Sequence, residues 1–427
     1  MKSIGVASPV LAICLSFTLI ALLNWNDIKA FQQQARSSTN PVKQQMANST
    51  TDSKHQHNMK PVAVVPKIKN STMAPKSPGK FYYRAEASLM KDGNNATVFG
   101  GVEARAFPHK AVTCLPPEPK WDTYGTQMTP TNEGLFFLKT FKTGSSTASG
   151  IDLRIARNVA KRRNTGHALC RTRFDHAWAS ALFYSLKPQT SFLWTVLRDP
   201  TSRIVSQLFH FHVSREGHNT SDASLMERIR RNDGMTGNNY MGQLSLRGFK
   251  KKHDDPVAVA NAILNSYDFI AITERMDESA VALSMIMGIP LADVLYLKAK
   301  GHGGYDAGGD GHDCTYITPA FVSPGMEQFF RSDEYQDMVQ WDYLLYRAAN
   351  KSLDLTIDAL GREEFERKLA LFRQAQERAI ERCLPTVRFP CSPKGKSNSE
   401  TDCLWKDSGC GYMCLDEVAT ELGLWNY

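Results

Sequence analysis

The alternation of apolar and polar stretches divides the chain into segments. An uncharged, mostly apolar run extends from Gly5 to Leu23, preceded only by the charge of Lys2. About 20 such residues cross a bilayer as a helix, so residues 1–24 are expected to be a cytoplasmic tip and an uncleaved signal anchor. A cleaved signal peptide is the competing reading. Its nearest small-residue site ends at Ala30, with Ile28 where a second small residue belongs. Residues 25–80 are rich in Gln, Ser, Thr, Asn, Lys and Pro and show no periodicity. Such a stretch cannot bury enough apolar surface to offset its ordering entropy. A flexible, glycosylated stem is expected over 25–105, and a folded lumenal domain over 106–427.

From residue 134 short apolar runs alternate with helical patterns. "GLFFLKTF" predicts a buried strand, and "STASGIDLRIARNVAKRRNTG" predicts a helix with Ala148, Ile151, Ile155 and Val159 on one face. Lys161, Arg162 and Arg163 suit a helix C-terminus, and Gly166 is its stop. The order recurs in "SFLWTVL" (191–197) followed by "TSRIVSQLFHFHV", and in "YDFIAIT" (267–273) followed by a helix ending at Gly288. Strand–helix alternation predicts an α/β fold with a central parallel sheet flanked by helices. Ligands of such sheets bind at the carboxyl ends of the strands, so loops 139–147, 198–206 and 274–278 are expected to converge on one site. Residues 320–383 read as mostly helical.

Charge changes the picture little. The formal net charge is +8, but residues 25–80 hold +7 of it and Lys2 the rest, leaving 81–427 balanced. The basic character therefore belongs to the stem, and no nucleic-acid partner is expected. Cysteines say more. Apart from Cys14 in the apolar run, eight remain, at 114, 170, 314, 383, 391, 403, 410 and 414. An even set behind a signal anchor predicts disulfides in an oxidising lumen; a zinc site among the five in 383–414 is the weaker alternative, because no histidine follows Ala320. Sequons at Asn48, Asn70, Asn95, Asn219 and Asn350 agree with lumenal exposure.

The chemistry starts at "FLKTFKTGSST" (137–147). A strand, a tight loop and a helix start rich in small polar residues suit a phosphate, because free N–H groups and the helix dipole point at the anion. Lys142 precedes Gly144, whereas a triphosphate loop carries its lysine after the last glycine, so a Mg²⁺-dependent nucleotide triphosphatase is disfavoured. "LRDPTSRIVS" ends the next strand on Arg198, with Ser206 eight residues on. A guanidinium and a hydroxyl there make a second anion site; the alternatives are an Arg198–Asp199 pair and a Ser206 on the helix surface. Two anion sites at neighbouring strand ends point to one ligand with two phosphates.

"KTGSST" followed by "LRDPTSRIVS" resembles the two cofactor motifs of Golgi sulfotransferases. With "YDFIAITERMDESAVAL", and a fainter echo in "GCGYMCL" (409–415), the chain resembles the galactose 3-O-sulfotransferase family over about 134–300. The resemblance implies a P-loop-like sulfotransferase fold and the donor 3′-phosphoadenosine 5′-phosphosulfate (PAPS), with no metal required. The 5′-phosphosulfate would bind at Lys142, Thr143, Gly144, Ser145, Ser146 and Thr147, and the 3′-phosphate at Arg198 and Ser206. Lys142 would stabilise the leaving oxygen and His176 would serve as general base, with His210 and His212 as competitors. The implied acceptor is a glycan hydroxyl on glycolipid or glycoprotein, the 3-OH of galactose or a position on a uronic acid or other sugar. The implied setting is a single-pass type II Golgi membrane protein. A glycan-binding protein without catalysis is the alternative of another class. Phe141 departs from the family, which has histidine there. Glu274 reads as a cap or an acceptor contact. The glycine-rich insert "GHGGYDAGGDGHD" (301–313) is expected to be a mobile loop over the acceptor cleft rather than a metal site.

Overall fold

A computed structural model describes residues 97–117, 132–183, 185–231, 239–250, 252–299, 304–307 and 314–426. The expected anchor, nearly all of the stem and the sequons at Asn48, Asn70 and Asn95 lie outside them. Among the described residues no helix is long and apolar enough to cross a membrane.

Four parallel strands form the centre: β1 (Gly134–Leu138), β2 (Thr172–Asp175), β3 (Ser191–Leu197) and β4 (Phe269–Ile272), in the order β2-β1-β3-β4. Every residue of β1, β3 and β4 is buried. That explains their unbroken apolar sequences, since helices cover both faces of a parallel sheet. The edge strand β2 has no such signature. "TRFD" is short and half charged, and only its backbone pairing with Leu135–Leu138 makes it a strand.

Helix α1 (Ser145–Arg162) connects β1 to β2. After β3 come α2 (Pro200–Gln207) and a π-helical continuation, Leu208–Val213. Then follow α3 (Asp222–Arg230), α4 (Asn239–Leu244) and α5 (Pro256–Ser266) before β4. Helix α6 (Met276–Met287) ends at Gly288, whose φ of 63° supplies the left-handed stop expected there. Helices α7 (Pro324–Phe330), α8 (Asp333–Ala359) and α9 (Arg362–Arg382) fill the expected helical region. Two short hairpins, β5 (Tyr305–Ala307) with β6 (Cys314–Tyr316) and β7 (Cys403–Trp405) with β8 (Ser408–Cys410), precede the final α10 (Tyr412–Glu421).

Helix α1 is more deeply set than its single apolar face predicts. Asp152, Arg154 and Asn158 are buried with Ile151 and Ile155. Burial of such groups requires partners. Asp152 accepts from Thr172 Oγ1 (2.5 Å) and Trp194 Nε1 (2.7 Å), and Arg154 pairs with Asp416 (2.7 Å). Lack of solvent pushes the Asp152 carboxyl up to about 7 against the pull of those two donors.

All eight cysteines outside the apolar run are in disulfides: Cys114–Cys170, Cys314–Cys391, Cys383–Cys414 and Cys403–Cys410. The zinc alternative is therefore set aside, because no thiolate remains in 383–414. The folded body begins a little before the expected 106: Val102 is buried in the core and the Arg105 amide donates to Ser352 Oγ (3.0 Å). Asn219 is exposed in a loop. Asn350 is half-buried in α8 and accepts from Arg275 (3.0 Å), which makes it the poorer glycan site.

Candidate active site

In the strand order β2-β1-β3-β4 the chain leaves β1 towards β2 and then crosses to the other side for β3. The crevice between the carboxyl ends of β1 and β3 is therefore the switch point, where open α/β sheets take their ligands. A cleft of about 610 Å³ opens there.

The loop after β1 is built on its threonines. Thr140 Oγ1 donates to the Val196 carbonyl of β3 and shares a hydrogen bond with Thr143 Oγ1 (2.7 Å). Thr273 Oγ1 donates to the Thr143 carbonyl (2.7 Å), tying the loop to the end of β4 as well. Pinned on both sides, the chain turns through two left-handed residues, Lys142 at φ 60° and Gly144 at φ 75°. The second is a natural glycine position; the first is unfavourable for lysine by about 1–2 kcal/mol. Helix α1 then starts without a side-chain cap and with no acidic residue in its first turn. By contrast α2, α3, α5, α7 and α8 are capped by Asp199, Ser221, Asp255, Ser323 and Ser332. An 18-residue helix whose leading amides lack a side-chain acceptor suits an anion at its N-terminus.

Lys142, Gly144, Ser145, Ser146, Thr147, Arg198, Ser206 and His176 all line this cleft. Thr143 does not. Its side chain is buried and hydrogen-bonded inside the loop, which it braces. Arg198 does not pair with Asp199, which caps α2 instead. Arg198 Nη1 donates to the Lys142 carbonyl (3.1 Å), so the second motif braces the first.

His176 follows β2. Its Nδ1 lies 3.0 Å from the Lys139 carbonyl, and since a carbonyl only accepts, this nitrogen carries the proton. Nε2 is then the basic nitrogen. Phe141 stacks on the ring, and Gln243 Nε2 donates to the carbonyls of both Lys139 (3.0 Å) and His176 (3.1 Å). His210 also lines the cleft, 3.4 Å from Asp306, whose carboxylate pairs with Arg215 (2.9 Å). His212 is not among the cleft-lining residues. It faces Glu216 and stacks on His218, and burial lowers its pKa.

The expected convergence of three loops holds for two. The third lines an adjoining cavity of about 550 Å³ that meets the first at Gly144, Thr147 and Ala299. Glu274 there accepts from the Asp199 amide (3.0 Å) and Tyr346 Oη (3.1 Å), and burial raises its pKa. It is a structural link from β4 to α2. Of the insert, residues 304–307 are described: they supply β5, which pairs with β6 just beyond the insert, and Asp306 and Ala307 lie on the cleft wall. His302, Asp310, His312 and Asp313 lie outside the described residues.

Three further cleft-lining residues were not singled out from the sequence. Trp405 and Lys406 come from the β7–β8 hairpin and Lys139 from the end of β1. Lys139 Nζ lies 5.5 Å from the Phe174 ring centre and 5.8 Å from that of Trp405; Lys406 Nζ lies 4.8 Å from Trp405. Only the run of cysteines around 405 marked that hairpin, and only as covalent structure.

No family model, curated protein or solved structure matches the chain.

Proposed function

We propose that the protein is a PAPS-dependent carbohydrate sulfotransferase with a P-loop-like fold, acting on a hydroxyl of a glycan, foremost the 3-OH of galactose on glycolipid or glycoprotein. The observation that carries the reading is the pairing of Lys142 and Arg198 at the switch point. Two cationic side chains from neighbouring strand ends, joined through the Lys142 carbonyl, flank an uncapped helix N-terminus. That set fits a ligand with two separate anionic ends.

The donor supplies a sulfuryl group activated by its link to phosphate. Lys142 and the first amides of α1, with Ser145, Ser146 and Thr147, hold the phosphosulfate end. Arg198 and Ser206 hold the 3′-phosphate. In the transfer the bond from sulfur to the bridging oxygen breaks, a bond from sulfur to the acceptor oxygen forms, and the electron pair stays on the 5′-phosphate. The Lys142 ammonium stabilises the charge that grows there. His176 Nε2 takes the acceptor proton, with Nδ1 anchored on the Lys139 carbonyl to hold the ring in the receiving tautomer. The products are 3′,5′-adenosine bisphosphate and a sulfate ester.

The disulfides and the exposed Asn219 sequon support a lumenal setting, and the apolar run at 5–23 supports a type II Golgi anchor. Retention on immobilised 3′,5′-adenosine bisphosphate, followed by transfer of radiolabelled sulfate to a panel of galactosides, uronides and hexosamines, tests the reading. A protein that binds the glycans but not the bisphosphate would be a lectin, and the reading would fall.

A further inference from the structure

Among the described residues three non-glycine positions have positive φ: Lys142 (60°), Asn164 (50°) and Lys406 (49°). Two of the three are lysines on the walls of one cleft. Asparagine tolerates that conformation; lysine does not. Lys406 opens the two-residue turn between β7 and β8, a place where glycine, asparagine or aspartate is the ordinary choice. A residue that breaks the local rule in a cleft points to function more than to folding.

The hairpin that carries Lys406 is not a free loop. Cys403–Cys410 closes it, and Ser408 Oγ shares a hydrogen bond with Ser149 Oγ of α1 (2.7 Å). Gly409 sits so close to α1 that a Cβ on Gly150 would lie 2.8 Å from the Gly409 amide nitrogen. The hairpin is thus seated on the helix whose N-terminus forms the anion loop, and Lys406 is held at a set place relative to Lys142.

The surroundings of Lys406 say what it holds. Among the described residues no carboxylate forms an ion pair with it; its ammonium lies 4.8 Å from the centre of the Trp405 ring, and the residue is exposed. Arg215 on the same cleft is already compensated by Asp306. The two ends of the donor would engage Lys142 and Arg198. Lys406 then remains as an exposed cation beside an aromatic face of the same cleft, with Asp407 next to it in the turn.

We infer that the β7–β8 hairpin is the acceptor-recognition element and that it selects an acidic glycan. A sugar face packs on Trp405, and Lys406 binds a carboxylate or sulfate on that sugar or on its neighbour. The inference rests on the sulfotransferase reading, which assigns Lys142 and Arg198 to the donor, while the glycan binding it predicts is measured without donor.

Two measurements keep the two apart. Glycan binding without donor is titrated with a neutral galactoside and with the same galactoside bearing a carboxylate or a sulfate. Initial rates of sulfate transfer are measured on the same three compounds. The wild-type protein should prefer the acidic compounds about tenfold in Kd and in kcat/KM, as one charge-assisted contact allows. Lys406→Asn, which suits the left-handed turn and so preserves the fold, should bring the acidic-to-neutral ratio close to one. Comparison of the carboxylated with the sulfated compound identifies the anion. Equal affinity of the wild type for acidic and neutral compounds overturns the inference, as does a ratio unchanged by Lys406→Asn. A raised donor KM with an unchanged ratio would also overturn it, placing Lys406 on the donor. Loss of acidic-glycan binding in Lys406→Asn in a protein that transfers no sulfate would uphold the inference and sink the sulfotransferase reading.

Discussion

Phe141 lies flat on the imidazole of His176, ring centres 4.5 Å apart and planes 9° apart. The stack and the Nδ1 bond to the Lys139 carbonyl together determine where Nε2 points. Phe141 thus orients a histidine, which gives this aromatic residue of the loop a physical role. His176→Ala should lower the single-turnover rate by about 10²–10⁴, the usual worth of a general base. Phe141→Leu, which keeps apolar bulk but loses the flat contact, should lower it only about 3- to 10-fold, in line with an aromatic pair. If His176→Ala is harmless and His210→Ala is not, the base is the histidine beside Asp306.

Lys142 combines an unfavourable backbone with the charge the proposed transfer needs. Lys142→Asn relieves the first and removes the second. Turnover should fall by about 10²–10³, the scale for losing one group that stabilises transition-state charge. Thermal unfolding should show a midpoint at or above that of the wild type. Undiminished turnover would remove Lys142 from the chemistry.

Arg198 and Ser206 should act on the donor. Arg198→Ala is expected to weaken binding of 3′,5′-adenosine bisphosphate by about 10- to 100-fold, and Ser206→Ala by about fivefold, as charged and neutral hydrogen bonds differ. Calorimetric titration reads both. Arg198→Ala should also lower turnover, because Arg198 braces the Lys142 carbonyl. An acceptor KM that rises more than the donor KM would contradict the phosphate assignment.

Asp152 makes stability depend on pH. Its carboxyl is pushed up to about 7 in the fold, from 3.8 as the ordinary value. Between those values the folded chain holds a proton that the unfolded chain has released. This group's contribution is therefore greatest below about pH 4, falls as pH rises, and is gone above about 7. Asp152→Asn keeps an acceptor for Trp194 Nε1 and cannot ionise. Urea unfolding at pH 5 and pH 8 should show a larger loss of stability for the wild type than for Asp152→Asn. Equal losses would mean that the buried carboxyl is ionised throughout.

Buried parallel strands and their loops were legible because burial on both faces leaves a mark in sequence. "GLFFL" and "SFLWTVL" became β1 and β3, and Lys142, Arg198, Ser206 and His176 meet in one cleft. Strand β2 was illegible because "TRFD" carries two charged residues, unlike the equally short but wholly apolar edge strand β4, and only its backbone pairing with β1 makes it a strand. The internal use of the Thr143 hydroxyl was likewise illegible, because its partner bonds belong to the folded loop.

By itself the sequence determined the α/β alternation, the paired cysteines and the residue types of the anion loop, all of which follow from local periodicity and composition. Tertiary structure alone decided which side chains share a surface. Residues 405 and 406 lie more than 250 positions from Lys142, and only the seating of the β7–β8 hairpin on α1 brings them to the same cleft. Contacts at such separation depend on how helices and hairpins pack, and no window of neighbouring residues records that.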